Sequence, residues 1–154
     1  MNAAKAAKVR NIFDGAPFIC EMGVELTSIE DGWCETHLVP DRRHWQQHGL
    51  IHAGVMATMC DHTAGCAARG KVGLDQDVLT VEFKVNFLRP AVADRLRCRS
   101  HVLRAGKTLV ICESEVYAEK KSEEKLVAKA TVTLAVTGEI VSREGNCTSY
   151  GSLV

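Results

Sequence analysis

The stretch Gln46–Arg69, QQHGLIHAGVMATMCDHTAGCAAR, decides how the rest of the chain must fold. From Ala53 to Ala68 nearly every position is apolar or small on all sides of a helical wheel, the pattern of a helix that is buried rather than laid on a surface. The polar exceptions that matter most are Asp61 and His62. An ionised carboxylate in such surroundings is costly unless it is partnered or kept for chemistry, which makes Asp61 the first candidate functional residue. His62 points elsewhere on the helix and reads as a hydrogen-bonded core or interface histidine. Cys60 also neighbours Asp61, but no base at motif spacing supports a nucleophilic thiol.

Upstream, residues 2–13 are good helix formers with an apolar stripe of Val9, Ile12 and Phe13, ended by Gly15 and Pro17. Two extended runs, Cys20–Glu30 and Trp33–Val39, flank the turn signal Asp31-Gly32 and predict a hairpin. Pro40 to Arg43 breaks the sheet, and a polar loop leads into the central helix. Downstream, Gly70 and Gly73 stop the helix and the period changes to two. Leu79, Val81, Phe83, Val85 and Phe87 alternate with Thr80, Glu82, Lys84 and Asn86, describing a half-buried strand that ends at Arg89-Pro90.

In the next two strands, Leu96, Cys98, Ser100 and Val102 form one core face and Val110, Cys112, Ser114 and Val116 the other. A three-residue loop of Ala105, Gly106 and Lys107 keeps like faces together, setting Arg99 opposite Glu113 and Arg97 opposite Glu115. In that loop Gly106 supplies an unusual backbone angle. The charged cluster itself reads as a solvated sheet face of little energetic weight. After a charged tip at Lys120 to Glu124, a last strand carries Leu126, Ala128, Ala130, Val132, Leu134 and Val136 on one face.

Two strands, one long apolar helix and four strands in meander order give an α+β fold. Only an antiparallel sheet of about five to six strands, curled around the helix, buries that helix on most sides. A chain of 154 residues is read as a single domain, 1–154, with a helical extension over 1–16 and a tail over 138–154. Lys plus Arg equals Asp plus Glu at 19 each, so no global field points to nucleic acid or an anionic membrane. The seven cysteines show no CxxC pair and read as small core residues in a reducing compartment. Without a secretory signal or a membrane-length apolar run, a cytoplasmic protein is expected. His44, His48 and His52 stand at i, i+4 and i+8, a spacing that lines up metal ligands on a continuous helix. Pro40, Gly49 and Gly54 argue against such a helix, and no metal is expected.

The segments HGLIHAGVMATMCD and LTVEFKVNFLRPA together resemble the PaaI-like acyl-coenzyme A thioesterases of the hotdog fold. The match in order and spacing runs from Gln46 to Ala91, and the strand meander extends it to about Val136. The resemblance implies hydrolysis of an acyl thioester without a cofactor, with Asp61 as general base or nucleophile. It places Gln46 on the thioester carbonyl, and His52 and Ala53 at the first two positions of His-Gly-Gly, where a backbone N–H makes the oxyanion contact. Thr80 matches a hydroxyl position that holds the attacking water in some relatives. Gly54, Asn86, Arg89, Gly106 and Lys107, with Lys84 as an alternative, fall where the resemblance puts the coenzyme. Ala53 replaces the first Gly of the motif, adding a methyl group near the thioester path.

His52 and Asp61 are nine positions apart, so at about 100° and 1.5 Å per residue they face opposite sides of the helix, roughly 13 Å apart along it. One helix cannot bring both to one carbonyl. The expected active form is therefore a homodimer, or a dimer of dimers, with sites at the subunit interface. Two other readings stand beside hydrolysis. A hotdog hydratase or dehydratase would make His52 indispensable, and a non-catalytic acyl-coenzyme A-binding module would bind without turnover.

Overall fold

The structure is a computed structural model that describes residues 1–138 and 140. The expected tail therefore lies outside the described residues, apart from Gly138 and Ile140. In chain order the elements are α1 (Ala3–Asp14), α2 (Pro17–Met22), β1 (Val24–Glu30), β2 (Trp33–Leu38), α3 (Ala53–Arg69), β3 (Gln76–Phe87), β4 (Arg95–Ala105), β5 (Leu109–Lys120) and β6 (Glu123–Gly138). The strands form one six-stranded antiparallel sheet in the order β1-β2-β4-β5-β6-β3. It curls around α3, as in hotdog-fold thioesterases, and the hairpin turn at Asp31-Gly32 is present, with Gly32 at φ 77°.

Helix α3 packs on every strand of the sheet, and the strands facing it carry small residues. Cys98, Ser100, Cys112 and Ser114 are all 0% exposed. Three of these side chains reach the helix backbone, and Ser100 Oγ bonds Ser114 Oγ at 2.6 Å: Ser114 Oγ donates to the Cys60 carbonyl at 2.8 Å, Cys98 Sγ to that of Met59 at 3.4 Å and Cys112 Sγ to that of Ala64 at 3.7 Å. Thr36 and Thr63 share a buried hydrogen bond of 2.8 Å between β2 and α3. A helix carbonyl has a second lone pair beyond its i+4 bond, and short hydroxyl or thiol side chains fill it without forcing the layers apart.

Four local expectations are corrected. Cys20 to Met22 is helical rather than extended: Pro17 opens α2, where its missing N–H costs nothing, and Gly23 closes it at φ 73°. The β4–β5 turn is displaced, so that Arg99 lies opposite Glu115 and Arg97 opposite Tyr117. A bulge at Leu103 absorbs one residue, which lets the turn close at Lys107-Thr108 with Gly106 N–H on the Leu109 carbonyl, while core faces stay matched. Gly106 accordingly does not adopt a positive φ; among the described residues the glycines that do are Gly23, Gly32 and Gly49.

The third correction concerns β3. Its register slips between Thr80 and Glu82, leaving Val81 as an extra residue, so the alternation changes parity there. Thr80 opposite Leu134, and Phe83, Val85 and Phe87 opposite Val132, Ala130 and Ala128, all share the face toward the helix. The strand is also a sheet edge, with Leu79, Val81, Phe83 and Phe87 exposed.

Finally, Arg97 is not on a solvated face. It is 7% exposed and donates to Glu119 at 2.7 Å, Glu35 at 3.1 Å and Glu124, with its guanidinium 5.2 Å from the Tyr117 ring centroid. Burial works against the Glu35 carboxylate, but the bonds from Arg99 and Arg97 outweigh it and hold its pKa below the ordinary 4.5. A carboxylate depressed in this way stabilises the fold above its unfolded-state pKa, and that contribution is lost as pH falls through the folded value. Arg97→Met is expected to lower unfolding free energy by about 2–3 kcal/mol at pH 7. In urea titrations the gap from wild type should shrink as pH drops below 4.5; a gap independent of pH would assign the loss to packing alone.

Candidate functional site

The loop before α3 is built to present the helix N-terminus. Asp41 caps a single 3-10 turn, Arg42–His44, and the His44 ring is locked between two backbone groups: Nδ1 accepts from Asp41 N–H at 2.9 Å and Nε2 donates to the Met22 carbonyl at 2.7 Å. Both ring nitrogens are thereby occupied. His44, His48 and His52 sit on a 3-10 turn, a loop and a helix cap rather than along one helix face. Among the described residues no group of three or more side chains is placed to hold a metal. Gly49, at φ 75°, closes a turn in which Gln46 N–H bonds the Leu50 carbonyl at 2.8 Å. Gln46 Oε1 accepts from His48 N–H at 2.8 Å, so the amide is held by its acceptor and its NH2 remains a donor.

His52 is the N-cap of α3, and its Nδ1 accepts from Gly54 N–H at 2.9 Å. A Cβ at Gly54 would lie 2.9 Å from that nitrogen, so the cap requires glycine at this position. The Ala53 N–H, one of the first helical donors, finds no acceptor among the described residues. It points out where the helix dipole favours negative charge. Gln46, His52, Ala53, Met56, Phe87 and Arg89 are among the walls of an open cavity of about 510 Å³.

Asp61 belongs to a different cavity, of about 560 Å³. Its carboxylate is half-buried, and Thr80 Oγ1 donates to Oδ1 at 2.7 Å. The β3 bulge makes this contact, since without the parity change at Val81 either Thr80 or Phe83 would face away from the helix. The other walls are mostly apolar: Ala16 from the α1–α2 connection, Pro17, Phe18 and Ile19 from α2, Ala57 from α3 and Phe83 from β3. Val9 and Phe13 of α1 are 1% and 4% exposed, so the arm that carries these walls is anchored in the core, each residue contributing about 1.5–3 kcal/mol. The half-buried His62 ring lies 5.0 Å from the Phe13 ring centroid, and its Nε2 has no nitrogen or oxygen partner among the described residues. Cys60 is fully buried, and its hydrogen bond to the Cys98 thiol, with burial, pushes its pKa well above the ordinary thiol range, so no thiolate nucleophile forms there.

Of the candidate residues, the structure gathers Gln46, His52, Ala53 and Arg89 in one cavity, and Gly54, Asp61 and the Asp61-bound Thr80 at the other. Asn86 and Lys84 are not brought in; they lie opposite Lys129 and Thr131, on the outer face of the sheet. Gly106 and Lys107 also stand apart. They adjoin the start of β5, whereas Arg89 bonds the Leu126 carbonyl opposite Tyr117, roughly 25 Å farther along the strand. The walls Phe18 and Phe83 were not among the candidates. The signal available for Phe18 was Pro17, a helix-start residue two positions after a helix-stop glycine.

Residues 48–125 match the family model of the thioesterase superfamily. A protein of Saccharolobus solfataricus, named only as a candidate esterase, is 30% identical over 123 residues, covering 79% of this chain and 85% of that one. The medium/long-chain acyl-CoA thioesterase of Escherichia coli is 27% identical over 136 residues, covering 78% and 85%. A thioesterase family protein of Silicibacter pomeroyi superposes with a TM-score of 0.86 at 37% identity, covering 88% of this chain and 99% of its own. The chain belongs to the thioesterase superfamily.

Proposed function

We propose that this chain hydrolyses acyl-coenzyme A thioesters at two equivalent sites of a homodimer, each site using the N-terminus of α3 from one subunit and Asp61 from the other. The observation that carries this reading is the placement of a free helix N–H at Ala53 and a Thr80-bound carboxylate at Asp61 in separate cavities of one chain. In the reaction the Ala53 N–H and the Gln46 amide polarise the thioester carbonyl. The partner subunit's Asp61 drives attack at that carbon, either by taking a proton from water or by attacking directly. The C–S bond breaks, the sulfur leaves as the coenzyme A thiol, and water supplies the hydroxyl of the acid product. Thr80 fixes one carboxylate oxygen and leaves the other free for the reaction.

The edge of the sheet supports the dimer. Strand β3 is twelve residues long and, among the described residues, unpaired on one side, and it exposes Leu79, Val81, Phe83 and Phe87. Such an edge is a template for pairing with a second copy of itself. The apolar cavity beside Asp61 suits a hydrocarbon or aromatic acyl group, and the name of the Escherichia coli relative is consistent with that class. Hydrolysis is favoured over a dehydratase reading because His52 Nδ1 is engaged in capping Gly54 N–H, whereas the Asp61 carboxylate is oriented by the Thr80 hydroxyl.

Two substitutions test the two halves separately. Asp61→Asn is expected to lower kcat by about a hundred- to ten-thousandfold, with dimer formation and coenzyme A binding retained in light scattering and calorimetry. Full turnover in this variant would remove the central claim, and binding without turnover in the wild type would favour a non-catalytic module. Ala53→Pro replaces the N–H with a ring methylene and should leave the helix intact: proline is accommodated at the first helical position, and His52 at φ −63°, ψ 138° already has the conformation a following proline requires. This variant is expected to fold with wild-type stability and to lose about a hundred- to thousandfold in kcat. Unimpaired kcat would mean that no oxyanion contact is made there.

A further inference from the structure

Asp61 has two polar neighbours in its cavity that hydrolysis does not use. Thr58, Asp61 and His62 stand at i, i+3 and i+4 of α3, so they share one side of the helix, and all three line the cavity of about 560 Å³ that Phe18 and Phe83 also wall. Asp61 accepts the Thr80 hydroxyl. Its neighbours have no such partner. The half-buried Thr58 hydroxyl makes no hydrogen bond among the described residues. His62 Nε2 is sealed from solvent without a nitrogen or oxygen partner. The ring shares a hydrogen bond with the fully buried Cys66 thiol, which engages one nitrogen at most and leaves the other over. Phe13 covers the ring at 5.0 Å between centroids, an apolar contact that satisfies neither nitrogen.

Native proteins leave few buried polar atoms unpaired, because each one forfeits its bond to water without a replacement. Here two stand together, on the wall of the cavity beside the reacting carboxylate. The surroundings restrict what would satisfy them. A second carboxylate would be repelled by Asp61, and an ammonium group would have to shed its water among apolar walls. A neutral hydroxyl suffers neither penalty, and since it both donates and accepts it can bond the Thr58 hydroxyl and either tautomer of His62. Resting on the thioesterase reading, we propose that Thr58 and His62 are specificity-determining residues that bind a hydroxyl carried by the acyl chain. One helical turn separates Thr58 from His62, so the hydroxyl lies roughly 5–8 Å from the carbon that Asp61 attacks. The apolar walls hold the methylenes between the two points.

The test compares 6-hydroxyhexanoyl-coenzyme A with hexanoyl-coenzyme A in wild type, Thr58→Val and His62→Phe. Valine keeps the shape of threonine without its hydroxyl, and phenylalanine keeps a ring against Phe13 without its nitrogens. Thermal unfolding establishes that each variant folds; if His62→Phe does not, Thr58→Val decides alone. In the wild type, kcat/KM is expected to favour the hydroxylated thioester by about tenfold or more, because the polar pair is left unbonded by the plain chain. That preference should fall several-fold in each folded variant. A wild-type ratio near one, or a ratio that persists in either folded variant, would overturn the assignment. If the wild type cleaves neither thioester, the hydrolase reading fails on its own. Calorimetry with the intact thioesters then decides the subsite: tighter binding of the hydroxylated chain that Thr58→Val abolishes upholds it, and equal, unaltered or absent binding overturns it.

Discussion

The close approach of α3 to the sheet is the constraint on which the rest of the molecule depends. The strands beneath the helix offer cysteine, serine and threonine where a typical core would carry branched aliphatics; Cys98, Cys112 and Ser114 bond the outer lone pairs of helix carbonyls, and Thr36 bonds the Thr63 hydroxyl. The helix itself answers with Ala64, Gly65, Ala67 and Ala68, all buried. A larger residue at any of these contacts would push the layers apart. The spacing in turn sets how far Asp61 stands from β3, and hence whether the Thr80 hydroxyl can reach it.

Strand β3 completes this arrangement through a single irregularity. Because Val81 is an extra residue, both Thr80 and Phe83 face the helix, one orienting the carboxylate and the other closing the cavity beside it. The same strand lies at the edge of the sheet, so the element that positions Asp61 is also the one free to pair with a second copy. At the N-terminus of the helix, His52 spends its ring on Gly54 N–H, and the preceding amide of Ala53 has no acceptor among the described residues. These placements keep the carboxylate and the free amide of one chain in separate cavities.

Much of this architecture was legible because burial is written in composition. The all-round apolar character of Ala53–Ala68 and the alternation of β4, β5 and β6 suffice for a helix wrapped by an antiparallel sheet, and the position of Asp61 in that helix singles it out. What could not be read was set by partners distant in sequence. The Leu103 and Val81 bulges add residues without disturbing local pattern, so register and parity were misjudged at Arg97, Arg99 and Thr80. Arg97 gathers Glu35, Glu119 and Glu124 from three strands, which no local window reveals. The cavity wall at Phe18 depends on which segments the fold lays side by side.

The central claim is that each active site is shared between two chains. Mixing Asp61→Asn with Ala53→Pro after unfolding and refolding tests it most directly, since a mixed dimer holds one site with both functional halves intact and one with neither. Random pairing makes half the dimers mixed, so activity should recover to about a quarter of the wild-type value although each parent is inactive. Recovery no greater than the sum of the two parents, in a sample shown to contain mixed dimers, would place both halves of the site in one chain and contradict the account.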